Sequence, residues 1–130
     1  MSEQTAASFF AALNARDYDT VRALMAVDCR TGLPGVPPGA AGYVALARQM
    51  AQAFPDLHHE ILELIGAGDR VTAITRNSGT QAAAFMGHVA TGRRFNAIGI
   101  DVLQIEDGRI VQRTGVFDTV TMLHQLGLYQ

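Results

Sequence analysis

Apolar residues change their spacing at Pro55, and that switch restricts the chain to folds in which helices come first and a sheet follows. Before it, Phe9, Phe10 and Leu13, then Val21, Leu24 and Met25, recur at three- and four-residue intervals, which predicts two amphipathic helices. Asn14-Ala15-Arg16-Asp17 separates them, and Asp19 or Thr20 is placed to cap the second. Residues 32–42 hold three prolines and four glycines and read as a loop suited to the rim of a pocket. A third helix runs from Tyr43 to Phe54, with Tyr43, Leu46, Met50 and Phe54 along one stripe, and Pro55 ends it.

After Pro55 the pattern becomes alternating. Strands are predicted at Ile61–Ile65, Val71–Ser78, Phe95–Ile105 and Ile110–Phe117. Gly66-Ala67-Gly68-Asp69 supplies one turn, and Asp107-Gly108 suits a tight hairpin. Thr119–Leu126 reads as a short final helix. Helices, then an antiparallel sheet, then a helix make an α+β fold, as one domain over residues 1–130.

The strands lack a polar face. Ile98, Ile100 and Val102 alternate with Ala97, Gly99 and Leu103, where a sheet open to water on one side alternates apolar with polar. Only 17% of residues are charged, against a usual value of about 25%. Both facts call for apolar surface covered in two ways, by helices around an internal pocket and by a second subunit, so a homodimer or higher homo-oligomer is expected. The net charge of −2 and the absence of a basic run exclude a nucleic-acid footprint and a polybasic membrane patch. No apolar stretch approaches the roughly 20 residues of a membrane span. Cys29 stands alone, which rules out an intrachain disulfide, and no signal-peptide pattern opens the chain. The expectation is a soluble, cytoplasmic protein.

Two carboxylates stand out. Asp118 lies where the last strand meets the last helix and shares its strand face with Thr114 and Gln112. Facing a pocket, it would be a desolvated general acid/base; directly before Thr119-Val120-Thr121-Met122, it is placed as an N-cap, and spacing alone favours the cap. Asp101 sits within Gly99-Ile100-Asp101-Val102-Leu103, where a carboxylate must be paired or kept for chemistry, with Arg76 and Arg113 as the candidate partners. In Leu57-His58-His59-Glu60-Ile61, strand alternation turns His58 and Glu60 away from His59, so the cluster is no ready-made chelate and no metal is expected. The glycines lie in turns without a nucleotide pattern, so no other cofactor is expected.

One order of short motifs runs along almost the whole chain: Phe54-Pro55-Asp56-Leu57-His58, Gly68-Asp69-Arg70-Val71, Gly79-Thr80-Gln81, Thr91-Gly92-Arg93, Asp107-Gly108-Arg109-Ile110-Val111, and Asp118 ahead of Gln125-Leu126-Gly127. This succession resembles the SnoaL-like polyketide cyclases, or ester cyclases, of the nuclear transport factor 2-like superfamily. The resemblance implies a cone-shaped barrel, with a curved antiparallel sheet wrapped around three N-terminal helices and an apolar pocket inside. It also implies a cofactor-free aldol-type ring closure on an apolar carbonyl substrate, with Asp118 at the position of the general acid/base. Gln81, Arg76, Asp101, Gln112, Thr114, Phe54 and Met50 are the expected substrate-binding positions. Where relatives often carry a histidine after Gly-Thr and a Glu-His-Trp after the Asp-Gly turn, this chain has Gln81 and Gln112-Arg113-Thr114. The alternatives are a non-catalytic binding or dimeric interaction domain, and a steroid-isomerase-like or epoxide-hydrolase-like enzyme using Asp101. The direction in which Asp118 and Asp101 point separates these readings.

Overall fold

A computed structural model describes residues 2–129, in the order α1 (Ser2–Asn14), α2 (Tyr18–Ala23), β1 (Met25–Arg30), α3 (Gly39–Ala53), β2 (His58–Ala67), β3 (Arg70–Thr80), β4 (Arg94–Glu106), β5 (Arg109–Phe117) and α4 (Thr119–Leu126). The strands form one sheet in the order β1-β5-β4-β3-β2. The four strands after Pro55 pair antiparallel with their sequence neighbours, as the turns between them dictate. Register shifts at Ile61/Glu63 and Gln104/Ile105 mark irregularities of the kind that bend a sheet. The α+β class, the N-terminal helices and the short last helix follow the sequence expectation.

Three local features differ from it. Met25 leaves the helix and opens β1, which joins β5 in parallel and makes the sheet mixed. Only Met25 and Cys29 are buried in β1, so its sequence carries no clean alternation to betray a strand. Helix α2 is capped by Asp17, whose carboxylate accepts from Thr20 N and Thr20 Oγ1, rather than by Asp19 or Thr20. Helix α3 begins at Gly39, four residues before Tyr43. Its Gly42 lies so close to the Pro37 carbonyl that a Cβ there would overlap it, so the Pro-rich loop presses directly on the helix.

Alternation along the strands sets up the core. Val71, Ala73 and Thr75 of β3 and Ala97 and Leu103 of β4 point inward and are buried. At one end they meet Phe9, Phe10, Leu13 and Val44 of the helices. At the other, Phe54 packs edge-on against Phe95 with ring centroids 5.0 Å apart, beside Met122 and Leu126 of α4. Apolar side chains on the outer face, among them Ile74, Ile98, Ile100, Val102 and Val116, stay partly or fully exposed; Val116 is 73% exposed. Among the described residues, no helix is long and apolar enough to cross a membrane.

Candidate active site

A cavity of about 260 Å³ opens between the two halves of the core. Its walls come from α1 (Phe10, Leu13), α3 (Tyr43, Leu46, Met50) and the inward face of the sheet. Two inward strand positions in its wall lack side chains: Gly99 lies between Ala97 and Asp101 on β4, where a Cβ would press on Asn77 Nδ2, and Gly115 lies between Arg113 and Phe117 on β5. The volume approaches the lower end of the usual ligand-site range, about 300–1,000 Å³, enough for a bicyclic or small tricyclic molecule.

Arg16 lines this wall with its guanidinium donating to the Leu13 carbonyl at 3.2 Å and the Pro55 carbonyl at 2.9 Å, and two polar groups on the sheet interrupt it further. The first is Asp101, opposite Gly115 in the β4–β5 register. Arg113, two residues along β5 on the same face, reaches across with Nη2 to donate to Asp101 Oδ1, while its Nη1 donates to the Thr31 carbonyl at 3.0 Å. The side chains of Arg113 and Asp101 are only 11% and 19% exposed. Asp101 Oδ2 has no protein donor among the described residues, and no buried polar side-chain atom there lacks a partner, so Oδ2 is open to the cavity. A Cβ on Gly115 would overlap both Arg113 Nη2 and Asp101 Oδ1, so the glycine makes room for the ion pair as well as for the cavity. Tyr43 also lines the cavity. Burial first, then the charge of Asp101, pushes its hydroxyl pKa up to about 12, so it keeps its proton and remains a donor.

The second polar group is a chain of hydrogen bonds along the same face. His59 Nδ1 lies 2.6 Å from Asn77 Oδ1, and Asn77 Nδ2 donates to Thr75 Oγ1 at 3.1 Å. The His59 backbone is clamped to α1, its N–H donating to Asn14 Oδ1 at 2.8 Å and its carbonyl accepting from Asn14 Nδ2 at 2.9 Å. Burial pushes the imidazole pKa below the usual histidine value, against the opposing pull of the Asn77 hydrogen bond. His59 and Asn77 were not among the expected binding positions. Strand alternation does separate His59 from His58, but its pairing with Asn77 depends on the β2–β3 register.

Of the expected site residues, Asp101 and Met50 line the cavity. Asp118 does not: it is exposed and caps α4, with Oδ1 accepting from Thr121 N at 3.1 Å and Oδ2 from Thr121 Oγ1 at 2.6 Å. Those hydrogen bonds, the side-chain one first, hold its carboxyl below the usual range, opposite to the raised pKa a desolvated acid/base would have. Arg76 lies on the outer face, 3.7 Å from Glu60, and is not the partner of Asp101. Gln112 is also on that face and accepts from Arg30 at 2.9 Å, and Thr114 stands beside it on β5. Gln81 is wholly buried, but its amide fastens the following loop: it donates to the Val89 carbonyl at 3.2 Å and accepts from Thr91 Oγ1 at 2.8 Å. Phe54 is a core ring, packed against Phe85 and Phe95.

Comparison with known proteins adds to this geometry. The chain is similar in structure to TsrD from Streptomyces laurentii, at 31% identity and a TM-score of 0.91, over 98% of this chain and 95% of that one. It is similar to wild-type IdmH from Streptomyces antibioticus, a candidate polyketide cyclase, at 33% identity and a TM-score of 0.87, over 98% and 99% of the two chains. AclR from Streptomyces galilaeus, a candidate hydroxylase, superposes with a TM-score of 0.88 at 25% identity, over 99% and 97%. No curated protein matches the chain. The sequence profile of the SnoaL-like polyketide cyclases matches residues 4–126, nearly the full length, and with the cone of sheet and helices around an apolar cavity it makes this chain a member of that family.

Proposed function

We propose that the protein is a cofactor-independent cyclase that closes a ring by aldol-type chemistry on an apolar carbonyl substrate, with Asp101 as general acid/base. The observation that carries this reading is the Asp101–Arg113 pair, held in the wall of a mostly apolar cavity with one carboxylate oxygen free. Asp101 Oδ2 takes a proton from a carbon flanked by a carbonyl and an ester, a position already acidic enough for a carboxylate base. Further N–H groups of Arg113 and the Tyr43 hydroxyl donate to the enolate oxygen as its charge develops. The enolate carbon attacks a second carbonyl held in reach by the walls, the new C–C bond forms, and the resulting alkoxide takes the proton back from Asp101. Asp118 is read as a helix cap.

Solvent deuterium exchange tests this first step on an aryl β-keto ester, followed at the carbon between the two carbonyls. The protein is expected to accelerate exchange above the buffer rate. Asp118→Asn is expected to leave that rate within about twofold and stability within about 1 kcal/mol, because Asn caps nearly as well as Asp. Loss of exchange in Asp118→Asn, with the fold intact by circular dichroism, would return the acid/base role to Asp118.

The same reading takes the exposed apolar outer face, centred on Ile74, Ile100 and Val116, as the surface covered by a second copy of the chain. Sedimentation equilibrium is expected to give twice the 13.9 kDa chain mass, and Val116→Asp to shift it toward the monomer. A wild-type monomer at micromolar concentration would contradict the dimer.

A further inference from the structure

We propose that His59 is a specificity residue of the cavity, whose Nε2 accepts a hydrogen bond from a phenolic or enolic hydroxyl on a part of the substrate away from Asp101. The inference rests on the cavity being the substrate site.

Its basis is the direction of the hydrogen-bond chain. Asn77 Nδ2 lies 3.1 Å from Thr75 Oγ1 and 3.4 Å from the Ala97 carbonyl. A carbonyl can only accept, so the amide nitrogen faces Ala97 and the amide oxygen faces His59. The ring nitrogen 2.6 Å from that oxygen must then be a donor, which fixes the proton on Nδ1 and leaves Nε2 with its lone pair. Thr75 Oγ1 passes its own proton on to the Gly99 carbonyl at 3.4 Å, so every member of the chain points the same way. Nε2 has no protein partner among the described residues, and no buried side-chain nitrogen there is left unsatisfied, so it is open to the cavity that the ring lines. The Asn14 clamp on the His59 backbone and Phe10, whose ring centroid lies 6.2 Å from the imidazole, hold the ring in place.

Arg113 and Tyr43 are therefore donors beside Asp101, while His59 Nε2 is a fixed acceptor elsewhere on the wall, with the nearby Arg16 guanidinium turned to the Leu13 and Pro55 carbonyls. Arg113 and Tyr43 suit a carbonyl, whereas neutral His59 suits a group that gives a proton to a hydrogen bond. In the strand register His59 faces Asn77, and Asn77 faces Ala97, two inward positions along β4 from Asp101. A rigid bicyclic ring with a ketone and a separate hydroxyl matches that arrangement. An equally large hydrocarbon-ended ketone fills the volume but leaves Nε2 unpaired, a loss that polar sites discriminate against.

Two measurements test the proposal. Nitrogen-15 NMR of the imidazole in the wild-type protein at neutral pH is expected to show the Nδ1–H tautomer at His59, the minor form in free histidine. Titration calorimetry with 6-hydroxy-1-tetralone and 1-tetralone is expected to show about tenfold tighter binding of the hydroxylated probe, the worth of one buried hydrogen bond. His59→Phe is expected to reduce that preference to about twofold or less. An Nε2–H tautomer, equal affinities in the wild type, or a tenfold preference surviving in His59→Phe would each overturn the inference and leave the cavity reading standing. Failure of both probes to bind the wild type would overturn the cavity reading and the inference with it.

Discussion

Asp101→Asn is expected to slow proton exchange and ring closure by about 10²–10⁴-fold, the usual worth of a positioned general base, which corresponds to about 3–5 kcal/mol in the barrier. The amide keeps the shape of the carboxylate and can still accept from Arg113, so the cavity persists while its base is gone. Stability is expected to fall by about 1–3 kcal/mol, because the Arg113 guanidinium, only 11% exposed, keeps its charge and loses the opposite one. A second variant separates chemistry from folding. Asp101→Leu combined with Arg113→Met removes both charges, and replacing a buried pair by apolar side chains of similar size is often neutral or stabilising. Chemical denaturation should show the double variant at least as stable as Asp101→Asn, yet it should exchange no faster. An ion pair that contributes little to stability but lines a cavity is then explained by the reaction it serves.

Gly115→Ala is the second large effect. A glycine in the middle of a strand ordinarily weakens it, and alanine there should help by several tenths of a kcal/mol. At this position the sign is reversed. The added Cβ would overlap Arg113 Nη2 and Asp101 Oδ1 together, so the pair must move off its geometry, with the guanidinium pulled from the Thr31 carbonyl or the carboxylate pushed into the cavity. Overpacking of this kind costs about 1–3 kcal/mol, and displacing the carboxylate by about 1 Å can cost 10²-fold in rate. Thermal denaturation and the exchange assay read the two losses separately. An alanine variant as stable and active as the parent would mean that the pair is looser than its geometry indicates.

Most of the fold is legible in the sequence because local chemistry decides it. Pro55 ends α3, Asp107-Gly108 turns β4 into β5, and the apolar run on both faces of β4 announces a sheet covered on one side and left apolar on the other. β1 is not legible, since six residues with two buried positions carry neither a helical nor a strand period. The site was legible in its residue types and not in its pairings. Asp101 in an apolar strand signals a purpose, but the choice between Arg76 and Arg113 depends on which strand face each occupies. Register places Arg76 opposite Ile98 on the outer face and Arg113 diagonal to Asp101 on the inner one. Asp118 satisfied two patterns at once, a strand-end carboxylate and an N-cap, and the Thr121 backbone and hydroxyl claim it for the second. Gln81 drew notice as a polar residue beside a pocket motif, yet its amide is consumed by the loop it fastens. His59 is hidden by its neighbours: strand alternation dissolves the His58-His59-Glu60 cluster as a chelate and assigns His59 nothing in its place, and only its contact with Asn77, eighteen residues away, ties it to the cavity face.

The central claim is that Asp101, inside the cavity, and not Asp118, on its outside, moves the proton. Side-by-side exchange rates of Asp101→Asn and Asp118→Asn, measured on one aryl β-keto ester at one pH, test it most directly. The account requires exchange to fall at least about 10²-fold in the first variant and to stay within about twofold of the parent in the second. The reverse order of rates, with both proteins folded, would contradict it.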